Sequence, residues 1–217
     1  MQFTTANGPL EVEIDQLIIA GWTGRDHAAV EHHIEELAAL GVARPSQVPL
    51  FYRVSRGLLT TDSQIETLGA TSSGEAEPMV LRHGSKLWLG LASDHTDREL
   101  EAVSVAASKQ ICAKPCAETL WAFEDVAPHL DMLRLRSWVF EDDDWVTYQE
   151  GPLAQIIPLA ELIAASGLRD GGALLCGTLP AIGGVRPGTM FRATLLDPVL
   201  AREIALEYSA QPLPVIS

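Results

Sequence analysis

The chain has 217 residues, 47% of them hydrophobic and 20% charged, and its 15 basic against 29 acidic side chains give a formal net charge of −14. That much apolar side chain excludes a disordered segment, and no apolar stretch is long enough to cross a bilayer. The negative balance, with no basic patch to interrupt it, argues against nucleic acid and anionic lipid surfaces as partners.

The length suits one domain. Three cysteines, Cys112, Cys116 and Cys176, are an odd number behind a start with no secretory leader pattern, which points to the cytoplasm and to no disulfide framework. The Cys112/Cys116 spacing lacks a second pair or a neighbouring histidine ligand, so buried or incidental thiols are the expectation.

Residues 10–20 begin as alternating apolar and acidic positions and end as an apolar run into Gly21, which predicts a strand with one wet face. From Asp26 to Leu40 the apolar positions Ala28, Ala29, Ile34, Leu37 and Leu40 fall at helical spacing, and Gly41 is the expected C-cap. Residues 43–49 read as a loop and Phe51–Val54 as a short strand. Next comes an extended segment carrying Glu75 and Glu77, then the turn-like Arg82-His83-Gly84-Ser85 and the apolar run Leu87–Ala92, together a hairpin. Residues 99–110 suit a helix, 119–123 and 133–140 extended chain, and Glu141–Asp144 a solvated hairpin tip. Pro158–Ala165 suits a short helix. Ala173–Cys176 and Met190–Leu196 suit strands, with a Gly- and Pro-rich loop over 177–188 between them.

Side chains at i and i+2 of a strand share a face, so Glu75 and Glu77 point the same way with Cα atoms roughly 7 Å apart. The hairpin's second strand delivers Asp94 to the same end. Three carboxylates without Cys or His partners prefer Mg²⁺, Mn²⁺ or Ca²⁺ to zinc, because hard cations take oxygen ligands. The competing reading makes Glu75 and Glu77 ordinary strand-face acids and Asp94 a helix N-cap, with Asp94/Asp97 or Thr96/Glu99 as a capping box.

A second constellation lies on the first helix, where His33 and Glu36, or His32 and Glu35, sit at i and i+3, the spacing at which a carboxylate orients an imidazole as general base. Against it stands a plain solvated helix face. Lys109 and Lys114 are two of the few lysines, able to orient an anionic substrate or to act simply as surface charges. Gly177-Thr178 ends an apolar strand and can present a hydroxyl and bare N–H groups to a carboxylate or oxyanion, or form an ordinary tight connection.

Taken in order, Glu75-Ala76-Glu77, Asp94-His95-Thr96-Asp97-Arg98, Ser108-Lys109-Gln110, Gly177-Thr178-Leu179-Pro180 and Arg186-Pro187-Gly188 resemble the fumarylacetoacetate hydrolase superfamily, and the chain is similar to a bacterial branch of it. Upstream, Gly24-Arg25-Asp26 and His33-Ile34-Glu35-Glu36-Leu37 resemble the family's Gly-Arg-Asn segment and its His-x-x-Glu-Leu dyad.

The resemblance implies a mixed α/β, mostly β roll with a few peripheral helices. Residues 1–45 would form an N-terminal strand and lid-like helix, and 46–217 a β-rich catalytic core. It implies Glu75, Glu77 and Asp94 as ligands of Mg²⁺ or Mn²⁺, with Ca²⁺ able to replace them in a crystal. His33, Glu36 and Lys109 would be catalytic, with Lys114 an alternative to Lys109, and Arg25, Gly177 and Thr178 would contact substrate. The implied activity is hydrolysis of a carbon–carbon bond in a small 2-oxo or 1,3-dicarbonyl acid by a homodimer. Lyase, decarboxylase or isomerase chemistry, or a non-catalytic ligand-binding homologue, are the alternatives.

Overall fold

The computed structural model describes residues 1–39 and 44–216, apart from the side chains of His33, Glu36, Leu37 and Ala39. The chain opens with a hairpin the pattern does not foretell, β1 (Gln2–Thr5) and β2 (Gly8–Glu11). The strand expected over residues 10–20 is therefore divided: β2 ends at Glu11 and β3 (Gln16–Gly21) starts a different ladder. The alternation that suggested one strand is real, since Val12 and Ile14 are buried, but it spans a passage between two ladders.

Helix α1 (His27–Ala39) forms where expected, with the Asp26 carboxylate accepting from the Ala28 and Ala29 amides at 3.0 and 3.1 Å. Its expected C-cap, Gly41, lies outside the described residues. Then come β4 (Leu50–Val54), β5 (Leu59–Thr60), β6 (Gln64–Leu68) and β7 (Ser72–Ser73).

The hairpin β8 (Ala76–His83) and β9 (Lys86–Ser93) turns at Gly84-Ser85, whose φ values of +57° and +65° are those of a tight two-residue loop. After β10 (Thr96–Asp97), the expected helix over 99–110 is two short ones, α2 (Arg98–Glu101) and α3 (Val105–Gln110). Each has its own cap, Asp97 accepting from the Leu100 amide and Ser104 from the Ala107 amide. A capping serine in mid-segment breaks the run.

Beyond β11 (Lys114–Pro115), the extended chain expected over 119–123 shrinks to β12 (Trp121–Ala122) before α4 (Phe123–Val126). Strands β13 (Arg134–Glu141) and β14 (Asp144–Pro152) meet at the acidic tip, with Asp142 and Asp143 at φ +48° and +64°. Helix α5 (Leu159–Ser166) ends on left-handed Gly167. Strands β15 (Gly172–Leu175), β16 (Met190–Asp197) and β17 (Arg202–Leu213) complete the chain.

The strands build two principal mixed sheets, one in the order β12-β9-β8-β15-β3-β4 and the other β14-β13-β16-β17-β6. Val80, Leu89 and Leu174 of the first sheet join Leu135, Val139, Leu195 and Ile204 of the second in the main core. The opposite face of the first sheet is also covered, Leu17, Ile19, Met79, Leu81 and Leu175 packing with Phe3, Val12 and Leu120. Burial on both faces explains why its central strands read as continuous apolar runs, Leu17-Ile18-Ile19 and Leu174-Leu175, without alternation. All three cysteines are buried and free. Among the described residues no helix is long and apolar enough to cross a membrane.

Candidate metal centre

The register of β8 on β9 pairs Glu77 with Ala92 and Ala76 with Ser93, and the Asp94 amide then donates to the Glu75 carbonyl at 2.9 Å, carrying the pairing one residue further. Residues directly opposite in an antiparallel pair share a face, so Glu75, Glu77 and Asp94 project together and Ala92, opposite Glu77, leaves room. One oxygen from each carboxylate lies within 4.8 Å of the others. The helix-cap reading of Asp94 is overturned, because Asp97 caps α2 and Asp94 faces two lysines.

Burial is nearly complete: Glu77 is 2% exposed, Asp94 is fully buried, and the Glu75 side chain is 17% exposed. Three carboxylates so close repel one another, and the surroundings answer with cations. Lys109, on α3, ion-pairs with Asp94 Oδ2, and Lys114 Nζ lies 3.2 Å from Asp94 Oδ1 and donates to the His95 carbonyl. The Arg98 guanidinium lies 3.3 Å from Glu75, bonds Glu101 at 2.8 Å and donates to Ser73 Oγ at 2.7 Å. The Gly177 amide donates to Glu77 Oε2 at 2.8 Å.

These surroundings split the three acids. Burial pushes Asp94 up, but Lys109 and Lys114 outweigh it and hold the carboxyl down at about 2. Burial raises Glu77 well above the usual range, Asp94 adds to the rise, and Lys109 only partly offsets it. Glu75 is raised less far, because Arg98 opposes its burial. Lys109 is raised, its acidic neighbours outweighing its own desolvation, whereas burial and repulsion from Lys109 lower Lys114.

The donor set fits a hard divalent ion. Ligand distances of about 2.0–2.6 Å allow two oxygens on one ion to stand up to roughly 5 Å apart, which the cluster satisfies. Asp94 Oδ1 is buried without a hydrogen-bond partner, Lys114 being close but poorly aligned. No ring nitrogen competes from the adjacent histidine, since His95 Nδ1 pairs with the Tyr208 hydroxyl and Nε2 with Ser72 Oγ, both at 2.8 Å. Burial and the nearby Lys114 lower His95 to about 3, so its ring is neutral at pH 7.

Other expected site residues divide. Gly177 and Thr178 lie beside the cluster: the Gly177 amide reaches Glu77, and the Thr178 hydroxyl donates to the Ala76 carbonyl at 2.7 Å and accepts from Gln149. Arg25 joins a different neighbourhood, bidentate to Asp131 at 2.7 and 2.8 Å and bonded to the Ile156 carbonyl at 2.8 Å. It lines a groove of about 390 Å³ with His27, Pro49 and Glu161, which excludes the three carboxylates. The side chains of His33 and Glu36 lie outside the described residues, although the backbone of both is in α1.

Three neighbours escaped the sequence reading. Tyr52 of β4 faces Lys109, with Nζ 5.8 Å from the ring centre, and takes a hydrogen bond from Trp22, which has φ +60°. Glu101 follows Arg98 at i+3, a pair visible in sequence but without a sign that it borders the acids. Gln149 carries no local signal, since its strand belongs to the other sheet. Its oxygen accepts from the Ala76 amide and Ser137 Oγ while its nitrogen donates to Thr178 and to the Leu179 carbonyl.

No curated protein matches this sequence. Among solved structures, a 2-keto-3-deoxy-D-arabinonate dehydratase complexed with magnesium and 2,5-dioxopentanoate superposes with a TM-score of 0.66 at 12% identity, covering 96% of this chain and 76% of the other. A 5-carboxymethyl-2-hydroxymuconate delta-isomerase from Mycobacterium smegmatis gives 0.62 at 11%, covering 96% and 82%. A 4-oxalocrotonate decarboxylase from Pseudomonas putida G7, complexed with calcium and acetate, gives 0.55 at 15%, covering 94% and 78%. At such identities the likeness establishes the fold, which is of the fumarylacetoacetate hydrolase type. The profile of DUF2848, described as a protein of unknown function, matches residues 20–208, and the chain belongs to that family.

Proposed function

We propose that the protein is a divalent-metal-dependent enzyme acting on a small 2-oxo or 1,3-dicarbonyl acid, with Glu75, Glu77 and Asp94 holding Mg²⁺ or Mn²⁺, and that its reaction is hydrolysis of a carbon–carbon bond. The observation that carries this reading is the buried convergence of three carboxylate oxygens within 4.8 Å. Buried acids are costly unless cations offset them, and although Lys109, Lys114 and Arg98 do so in part, Asp94 Oδ1 is left buried with no hydrogen-bond partner.

An ion there supplies Lewis acidity toward a substrate carbonyl. The chain's own residues do the rest. Lys109 is the cation placed to meet a substrate carboxylate or developing negative charge, because of the two lysines on Asp94 it is the one with some exposure, 6% against 0%. Arg98 holds Glu75 in place through Ser73 and Glu101, and the Gly177 amide fixes Glu77. His33 and Glu36 on α1 are the proposed water-activating pair. A lyase, decarboxylase or isomerase needs the same cluster without that pair, and the fold neighbours named dehydratase, isomerase and decarboxylase favour keeping this second reading.

Thermal melts with and without Mn²⁺ test the cluster. A ligand of the native state present at a hundred times its Kd stabilises by about 2.7 kcal/mol, and E77Q should abolish the gain. No Mn²⁺-dependent shift in the wild type refutes the metal site. Turnover of an acylpyruvate and a 2-oxo acid panel by H33A and E36A then separates the reactions: loss favours hydrolysis, and retained turnover together with its loss in E77Q favours the lyase group.

A further inference from the structure

Asp94 carries two ammonium groups, one on each oxygen, and their surroundings differ. Lys109 is 6% exposed, ion-pairs with Asp94, faces the Tyr52 ring and also feels Glu75 and Glu101, so of the two lysines it is the one with some access toward an arriving anion. Lys114 is fully buried on β11, which pairs with Leu59–Thr60 of β5, and its Nζ is tied to the His95 carbonyl as well as lying 3.2 Å from Asp94 Oδ1. It has nowhere to go.

Its charge also alters the balance of the site. With every group ionised, four carboxylates, Glu75, Glu77, Asp94 and Glu101, meet three cations, Lys109, Lys114 and Arg98, and one negative charge remains. A divalent ion turns that into one positive charge, in surroundings where an unbalanced charge is costly. A ligand bearing a carboxylate restores neutrality. Without Lys114 the same cluster would take a divalent ion with no surplus.

We propose that Lys114 is a positioning residue that, through Asp94, keeps the three carboxylates from holding a divalent ion tightly alone, so that the ion is captured together with an anionic ligand bearing at least one carboxylate. The inference rests on the metal reading above and deepens it. The repulsion between a fixed ammonium and a divalent ion on the same carboxylate exceeds the loss of the poorly aligned 3.2 Å ion pair with Asp94, so removing Lys114 should tighten ion binding. A lysine serving only to neutralise Asp94 in the fold would give the opposite result, a less ordered carboxylate and weaker binding.

Calorimetric titration of Mn²⁺ into wild type, K114M and K114Q, each with and without saturating oxalate as the anionic probe, decides the matter, with circular dichroism to confirm folding. K114Q retains a donor for the His95 carbonyl in case K114M does not fold. The expected result is Mn²⁺ binding at least about tenfold tighter in the variants without oxalate, and an oxalate-induced gain smaller by a similar factor. A folded variant that binds Mn²⁺ no tighter than wild type overturns the proposal. So does a wild type whose Mn²⁺ affinity is unchanged by oxalate, a measurement independent of any variant. If wild type binds no Mn²⁺ under either condition, the metal reading itself fails and this inference falls with it.

Discussion

Gly177→Ala is the sharpest single test of how the glycine-rich loop serves the cluster. Gly177 has φ +89°, and an added Cβ would fall 1.7 Å from Thr23 Oγ1 and 2.7 Å from Thr23 Cβ. Left-handed backbone costs an alanine about 1–2 kcal/mol, and forcing a methyl into filled space costs about 1–3 kcal/mol. Alanine keeps the amide that holds Glu77 Oε2 at 2.8 Å, but the backbone shift forced by the clash pulls that donor away, and a buried acceptor that loses its donor costs a further ~1–3 kcal/mol. Because these effects share one site and do not simply add, the expected loss is about 4 kcal/mol.

For a chain of this length that lowers Tm by roughly 8–16 °C. Urea melts followed by circular dichroism measure the free-energy loss, and thermal melts the fall in Tm. Thr23→Ala in the same background removes Oγ1 and Cγ2 but leaves Cβ and the backbone strain, so the double variant should recover about 1–2 kcal/mol. A loss below about 1 kcal/mol, or no relief from T23A, would refute the claim that this turn is built around an absent side chain.

Three further outcomes are expected. Tyr208→Phe removes the hydroxyl that joins Ser93 Oγ and His95 Nδ1 at 2.8 Å each, and should destabilise by about 1–3 kcal/mol in denaturant melts, a neutral result removing that network from the account. Gln149→Leu keeps the volume but strips partners from the Ala76 amide, Ser137, Thr178 and the Leu179 carbonyl. It should cost about 2–4 kcal/mol and weaken Mn²⁺ stabilisation, because Ala76 lies between the two glutamates. Asp197 is raised by burial, but the Leu200 and Val199 amides, His129 and Arg202 outweigh that and leave it below the ordinary aspartate value. Its unfolded form therefore binds protons first as pH falls, so its contribution is full above about pH 4 and is lost as pH drops through the folded value. Stability measured from pH 5 to 2 should fall less steeply in D197N than in wild type; equal slopes would refute it.

The sequence by itself determined the elements whose pattern is local. The 3.6-residue period of α1, the β8–β9 hairpin with its Gly84-Ser85 turn, the acidic tip at Asp142-Asp143 and the i, i+2 pairing of Glu75 with Glu77 all depend on neighbours within a few residues. Once that hairpin forms in register, Asp94 follows beside Glu75, which is why the carboxylate set was legible.

Tertiary structure alone decided the rest. Residues 10–15 alternate like a strand yet pass from one ladder to another, a choice made by which sheet each segment joins. The two lysines on Asp94, Tyr52 over Lys109, and Gln149 reaching across from the second sheet are contacts between segments 15 to 73 positions apart or brought together by sheet order, and no local period encodes them. Whether an acid is solvated or buried beside a cation depends on what packs over it, so residue spacing could nominate Glu75, Glu77 and Asp94 but not the charges that tune them.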